Sequence, residues 1–117
     1  MVKKSFKKIL VIAAHHDDIE MGCGGSIAKF INEGYKVDVI IVCDSSFSSP
    51  SGKILRSARI ALKEGLNGLN KLGIQRKNIN CFEFPTHSIK KNYQIIKEKI
   101  LNIIDNKKYD YLFCHWI

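Results

Sequence analysis

Residues 15–18 read His15-His16-Asp17-Asp18, directly after the apolar run Ile9-Leu10-Val11-Ile12-Ala13-Ala14. Neutral imidazole nitrogen and carboxylate oxygen are both good ligands for zinc or a similar divalent ion. His15 and Asp18 are three positions apart, and a tight turn can aim both at one ion. Asp17, adjacent but not coordinating, could take a proton from water that the metal acidifies towards ~7, where a carboxylate is an adequate base. Gly22-Cys23-Gly24-Gly25 follows, and its glycines let the backbone turn sharply and start a helix close behind. Plainer readings compete. His and Asp after a strand can simply cap the next helix, or the cluster can be ordinary loop polarity. Another is a non-catalytic Rossmann-like module that holds a nucleotide or other anionic ligand at the Gly-rich turn. Against it, the glycines lack the Gly-x-Gly-x-x-Gly spacing, and two preceding aspartates would repel phosphate.

The elements that must position this cluster alternate along the chain. The run Ile9 to Ala14 suits a strand covered on both faces. Ile27, Phe30 and Ile31 recur at helical spacing from Ser26, with Gly34 as a stop. Val37 to Cys43 is a second β-branched strand ending at Asp44, and residues 45–53 read as a loop. Leu55, Ala58, Leu62, Leu66, Leu69 and Leu72 mark one face of a long helix closed by Gly73. Gly65 and Gly68 inside it each cost about 1 kcal/mol against Ala, which points to a close helix–sheet approach. Ile79 to Phe84 is a third strand, stopped by Pro85 and followed by Thr86 and His87. Tyr93, Ile96, Ile100 and Ile103 lay out another helix, and Tyr109 to Cys114 a fourth strand ending at His115. This order predicts an α/β fold: a three-layer α/β/α sandwich on a mostly parallel, Rossmann-like sheet. Ligands of such sheets bind at the carboxyl ends of the strands. All four histidines fall at or just past a predicted strand end.

Composition sets the outer bounds. The 117 residues, 45% apolar and 26% charged, suit a single α/β domain over 1–117 with a real core. The four cysteines are widely spaced with no Cys-x-x-Cys, which reads as reduced thiols rather than a disulfide frame or a zinc knuckle. No apolar stretch reaches the ~18 residues of a membrane span and none resembles a cleavable signal, so a cytoplasmic protein is expected. The net charge of +8 reads as lysines solvating helix faces plus a basic leader, since no nucleic-acid motif accompanies it. An unpaired edge strand leaves oligomerisation open.

Residues 14–25 also resemble the signature of the PIG-L/LmbE-like de-N-acetylases, Ala/Pro-His-Pro-Asp-Asp-Glu-x-x-Gly-Cys-Gly-Gly. Ala14, His15, Asp17, Asp18, Gly22, Cys23, Gly24 and Gly25 match it at unbroken spacing. Gly34 to Cys43, Glu64 with Leu72-Gly73, Phe84-Pro85 and Tyr109 to Cys114 are similar to later segments of the family. The resemblance implies His15 and Asp18 as ligands of Zn2+ or another divalent metal, and Asp17 as general base. It implies hydrolysis of an acetamido group on an N-acetylglucosamine-type conjugate, a small-molecule substrate whose contact residues the sequence does not identify. His16 stands where proline is usual, Ile19-Glu20 where the acidic residue comes one position earlier, and Thr86 where aspartate is common. The family completes its site with a His-x-Asp-His motif that supplies the third ligand and a transition-state histidine. No such motif lies within residues 1–117, so the expectation is a domain incomplete at its C-terminus, an inactive truncated copy being the alternative. His115 and His87 are the candidate stand-in ligands.

Overall fold

The apolar run at the start becomes the strand around which everything else packs. The computed structural model describes residues 7–16 and 18–115, and of Glu20 and Met21 the backbone only. Lys8–Ala13 form β1 and Lys36–Cys43 form β2, paired in parallel from Lys8↔Lys36 to Ala13↔Ile41. Ile79–Phe84 (β5) lies outside β2, and Tyr111–Phe113 (β6) pairs with the other side of β1, both in parallel. The sheet order is β5-β2-β1-β6.

Side-chain alternation along the strands assigns the two faces. Ile9, Val11, Ala13, Val39 and Ile41 pack with Ile19, Ile27 and Leu69, so helices α1 (Asp18–Asn32) and α2 (Ala58–Lys71) cover one face. Leu10, Ile40 and Val42 pack with Ile96, Ile100 and Ile103 of α3 (Tyr93–Lys107) on the other. The expected three-layer α/β/α sandwich is therefore present. The chain steps from β1 through β2 to β5 in one direction, then returns through α3 to lay β6 beside β1. The strand order reverses between β1 and β6, which makes the crevice above them the switch point where such sheets take ligands.

Helix stops fall where the glycines predict. Gly34 (φ 92°) follows α1, with Gly34 N–H donating to Ile31 O and Tyr35 N–H to Phe30 O. Gly73 (φ 100°) follows α2 with the same pair of bonds, to Asn70 O and Leu69 O. In both, a left-handed residue lets the chain fold back onto the last carbonyls.

Two expectations need correction. The glycines at 22–25 do hold a break in the helix, at Cys23 (φ −147°, ψ 20°), but a first helical stretch from Asp18 precedes it, so α1 starts earlier than expected. Glycines on both sides of Cys23 make the bend cheap. The expected loop after β2 contains a small antiparallel ribbon, β3 (Phe47–Ser48) with β4 (Ile54–Arg56). Leu55 belongs to that ribbon and not to α2, which starts at Ala58 because the Ser57 side chain accepts the Ile60 N–H at 3.2 Å. Strands this short carry no readable period. The leader over residues 1–6, Asp17, and the terminal Trp116 and Ile117 lie outside the described residues.

Candidate metal centre at the β1–β6 crevice

The parallel sheet brings the carboxyl ends of β1, β2, β5 and β6 to one rim. At the end of β1, His15 and Asp18 form the pair that the sequence singles out. Asp18 Oδ2 accepts the His15 backbone N–H at 2.8 Å and lies 3.2 Å from His15 Nδ1. Asp18 is also the first residue of α1, where a carboxylate is favoured by the helix dipole. Both side chains are partly exposed, so the pair is open to a ligand.

His115, just past β6, reaches the same carboxylate: its Nε2 is 3.3 Å from Asp18 Oδ2. That nitrogen already accepts the Ala14 backbone N–H at 3.0 Å. A nitrogen accepting there cannot also donate to Asp18, so two acceptors face each other. Its lone pair is equally unavailable to a metal in this arrangement. Accordingly, no three His, Cys, Asp or Glu side chains are placed to hold a metal ion together among the described residues. The donor chemistry of His15 and Asp18 fits a divalent ion, as two ligands of the three or four such a site uses. Asp17, expected as the base, is outside the described residues. His87 is exposed in a left-handed turn (φ 72°) after β5, two strands away from β1, and joins no such cluster.

A cavity of about 450 Å³ opens beside the pair, lined among others by Val11, Ala13, Asp18, Cys23, Phe113 and His115. Burial pushes the Cys23 thiol up, which keeps it protonated. The mixed lining, apolar walls with a few convergent polar groups, is the usual character of a small-molecule site. Asp18 occupies the start of α1, where its carboxylate opposes an anion, which counts against the anion-binding alternative.

Two groups of contacts that the sequence did not define support this rim. His16 is buried (1% exposed), and its backbone N–H donates to Ser45 Oγ at 2.9 Å. Its ring lies against Gly65 of α2, where an added Cβ would come within 2.5–2.8 Å of His16 Nδ1, Cβ and Cγ. The close approach expected at Gly65 is thus made by the loop beyond β1. At the neighbouring strand ends, Asp44 Oδ1 accepts from Ser46 N–H (3.0 Å), Ser46 Oγ (2.8 Å) and Thr86 Oγ1 (3.2 Å). Burial pushes the Asp44 carboxyl up, but the bonds from Ser46 and Thr86 outweigh it and hold the group below its usual value. Gly65 signalled a close approach as a glycine inside a helix but not its partner, and nothing at Ser45 signalled its contact, because both partners are distant in the chain.

Comparison with known proteins agrees with the motif. The family described as GlcNAc-PI de-N-acetylase (PIG-L) matches residues 10–117. An uncharacterized deacetylase, YaiS, of Escherichia coli is 37% identical over 82 residues, covering 69% of this chain and 41% of that protein. The diacetylchitobiose deacetylase of Thermococcus kodakarensis is 28% identical over 104 residues, covering 87% of this chain and 38% of that protein. This chain thus spans about two fifths of the length of these curated relatives. Among solved structures, the N,N'-diacetylchitobiose deacetylase of Pyrococcus horikoshii, complexed with its inhibitor MPG, superposes with a TM-score of 0.77. It is 23% identical, covering 93% of this chain and 40% of that one, a likeness of fold. With a family match over nearly its whole length and the signature at the end of β1, the chain belongs to the PIG-L de-N-acetylase family.

Proposed function

We propose that the chain forms, as a single α/β domain, part of a metal-dependent amidohydrolase that removes the acetyl group from an N-acetylglucosamine-type conjugate. The observation that carries this is the His15 Nδ1–Asp18 Oδ2 pair, 3.2 Å apart at the β1 carboxyl end, beside a cavity at the sheet's switch point. His15 and Asp18 would hold Zn2+ or another divalent ion, the remaining ligand coming from outside this set. When bound, such an ion supplies Lewis acidity, acidifying water and polarising a carbonyl. Asp17 takes the proton of the water that adds to the acetamide carbon and passes it to the departing amine, giving acetate and a free amino sugar. Val11, Ala13 and Phe113 give the adjoining cavity apolar walls. The names of the relatives support a sugar substrate: two of them are deacetylases of diacetylchitobiose. Among the described residues no helix is long and apolar enough to cross a membrane.

Zinc titration of the purified chain, followed by thermal melting, tests the reading. Zinc at a hundred times its Kd should stabilise the protein by about 2.7 kcal/mol. His15→Ala should abolish that gain. A zinc-induced gain that survives both His15→Ala and Asp18→Asn refutes the metal site.

A further inference from the structure

Residue 16 sits between the proposed ligands and is itself gripped from two sides. Ser45, just past β2, is buried (7% exposed) and holds a left-handed backbone at φ 60°. Such a conformation is strained for any residue with a Cβ, and a glycine would take it freely. The serine is accounted for by its hydroxyl, which accepts the His16 N–H at 2.9 Å where almost no surface is exposed. Ser45 is anchored in turn. Cys43 N–H donates to Ala14 O and Asp44 N–H to Phe84 O, both at 2.8 Å, so the ends of β1, β2 and β5 are tied together just ahead of it. On the opposite side, the His16 side chain fills the space that a Cβ at Gly65 would need.

We infer that Ser45 is a positioning residue for the metal pair: by fixing the His16 N–H it sets the direction in which His15 and Asp18 leave β1. The inference rests on the proposed metal role of that pair. The strain at Ser45 then has a function, since backbone strain persists where the surroundings impose it and clusters at functional sites. Ser45→Gly removes the hydroxyl and relieves the φ strain together, so it separates positioning from folding. Ser45→Ala removes the hydroxyl and keeps the strain.

The test uses the full chain with two readouts, amide hydrogen exchange without metal and zinc affinity. In Ser45→Gly the His15 and His16 amides should exchange at least about tenfold faster while Ile9–Ala13 stay protected. Zinc binding should weaken about 10–100-fold, the usual loss when a group that orients a ligand is removed. His16→Pro lacks the N–H altogether, so adding Ser45→Gly to it should cost no further zinc affinity. Wild-type exchange at His15 and unchanged zinc affinity in Ser45→Gly would overturn the inference. So would a zinc loss of the same size in the His16→Pro background. If His16→Pro does not fold, exchange and zinc affinity in Ser45→Gly and Ser45→Ala decide alone. If the unaltered chain takes no zinc, the exchange rates alone decide whether Ser45 holds the loop.

Discussion

Two carboxylates at the same rim of the sheet have opposite surroundings. Asp44, between β2 and β5, receives an amide N–H and two hydroxyls, none of which titrates near neutral pH. Its charge is locked in and its donors are consumed. Asp18, beside β1 and β6, is approached by two imidazole nitrogens at 3.2 and 3.3 Å, one of which already accepts an N–H from Ala14. A carboxylate satisfied by fixed neutral donors works as a structural clasp. One approached by two imidazole nitrogens and a single backbone N–H has fewer fixed neutral donors, and its charge is left to be met by a cation. Thr86 fits the first pattern: its hydroxyl donates to Asp44, whereas the aspartate usual at that position in the family would set a second carboxylate against it.

The contrast can be broken most sharply by neutralising each group in turn. Asp18→Asn should weaken zinc binding by at least about a hundredfold, because the site loses its anionic ligand, and Asp44→Asn should leave it within about twofold. Equal zinc losses in a titration of the two variants would erase the distinction. Gly65→Ala should come next. Its methyl would meet His16 at 2.5–2.8 Å, so denaturant unfolding should show a loss of about 1–3 kcal/mol, with zinc binding weakened as the loop is displaced. The smallest effect belongs to the clasp. Asp44→Asn should cost about 1 kcal/mol at neutral pH. The folded Asp44 carboxyl sits below its ordinary value, so its stabilisation is fully present above the unfolded pKa of about 3.9 and is lost as pH falls through the folded value. The gap between wild type and Asp44→Asn should therefore hold from pH 7 down to about 4 and close below it. A gap that widened in acid would contradict the hydrogen-bonded clasp.

Much of the scaffold was legible because it depends on local pattern. Ile9 to Ala14 reads as a doubly covered strand since every residue is apolar, and β5 runs over Ile79–Phe84 as its β-branched start and Pro85 stop require. Gly34 and Gly73 end their helices because only glycine takes φ near +95° without strain. Where pattern was weak, the reading slipped. Glycines at 22–25 argued for a turn, yet packing of Ile19 and Ile27 against the sheet carries the helix through them with one kink. The ribbon at 47–56 was invisible because two- and three-residue strands have no period and its sequence is rich in Ser, Pro and Gly.

The sequence alone determined the chemistry on offer: His15, Asp17 and Asp18 behind a buried strand, in the spacing of one family, with every histidine at a strand end. That much is local, since residue type and neighbour order set both the strand and the ligand atoms it can deliver. Tertiary structure decided which of those groups meet. It brought His115 to Asp18 across about a hundred residues and engaged its nitrogen with Ala14 N–H. It also left His87 apart, and recruited Ser45 and Gly65 to hold His16. Those contacts arise from strand order and helix packing, which couple positions far apart in the chain; Gly65 alone carried a mark, as a glycine inside a helix, and even that did not name its partner.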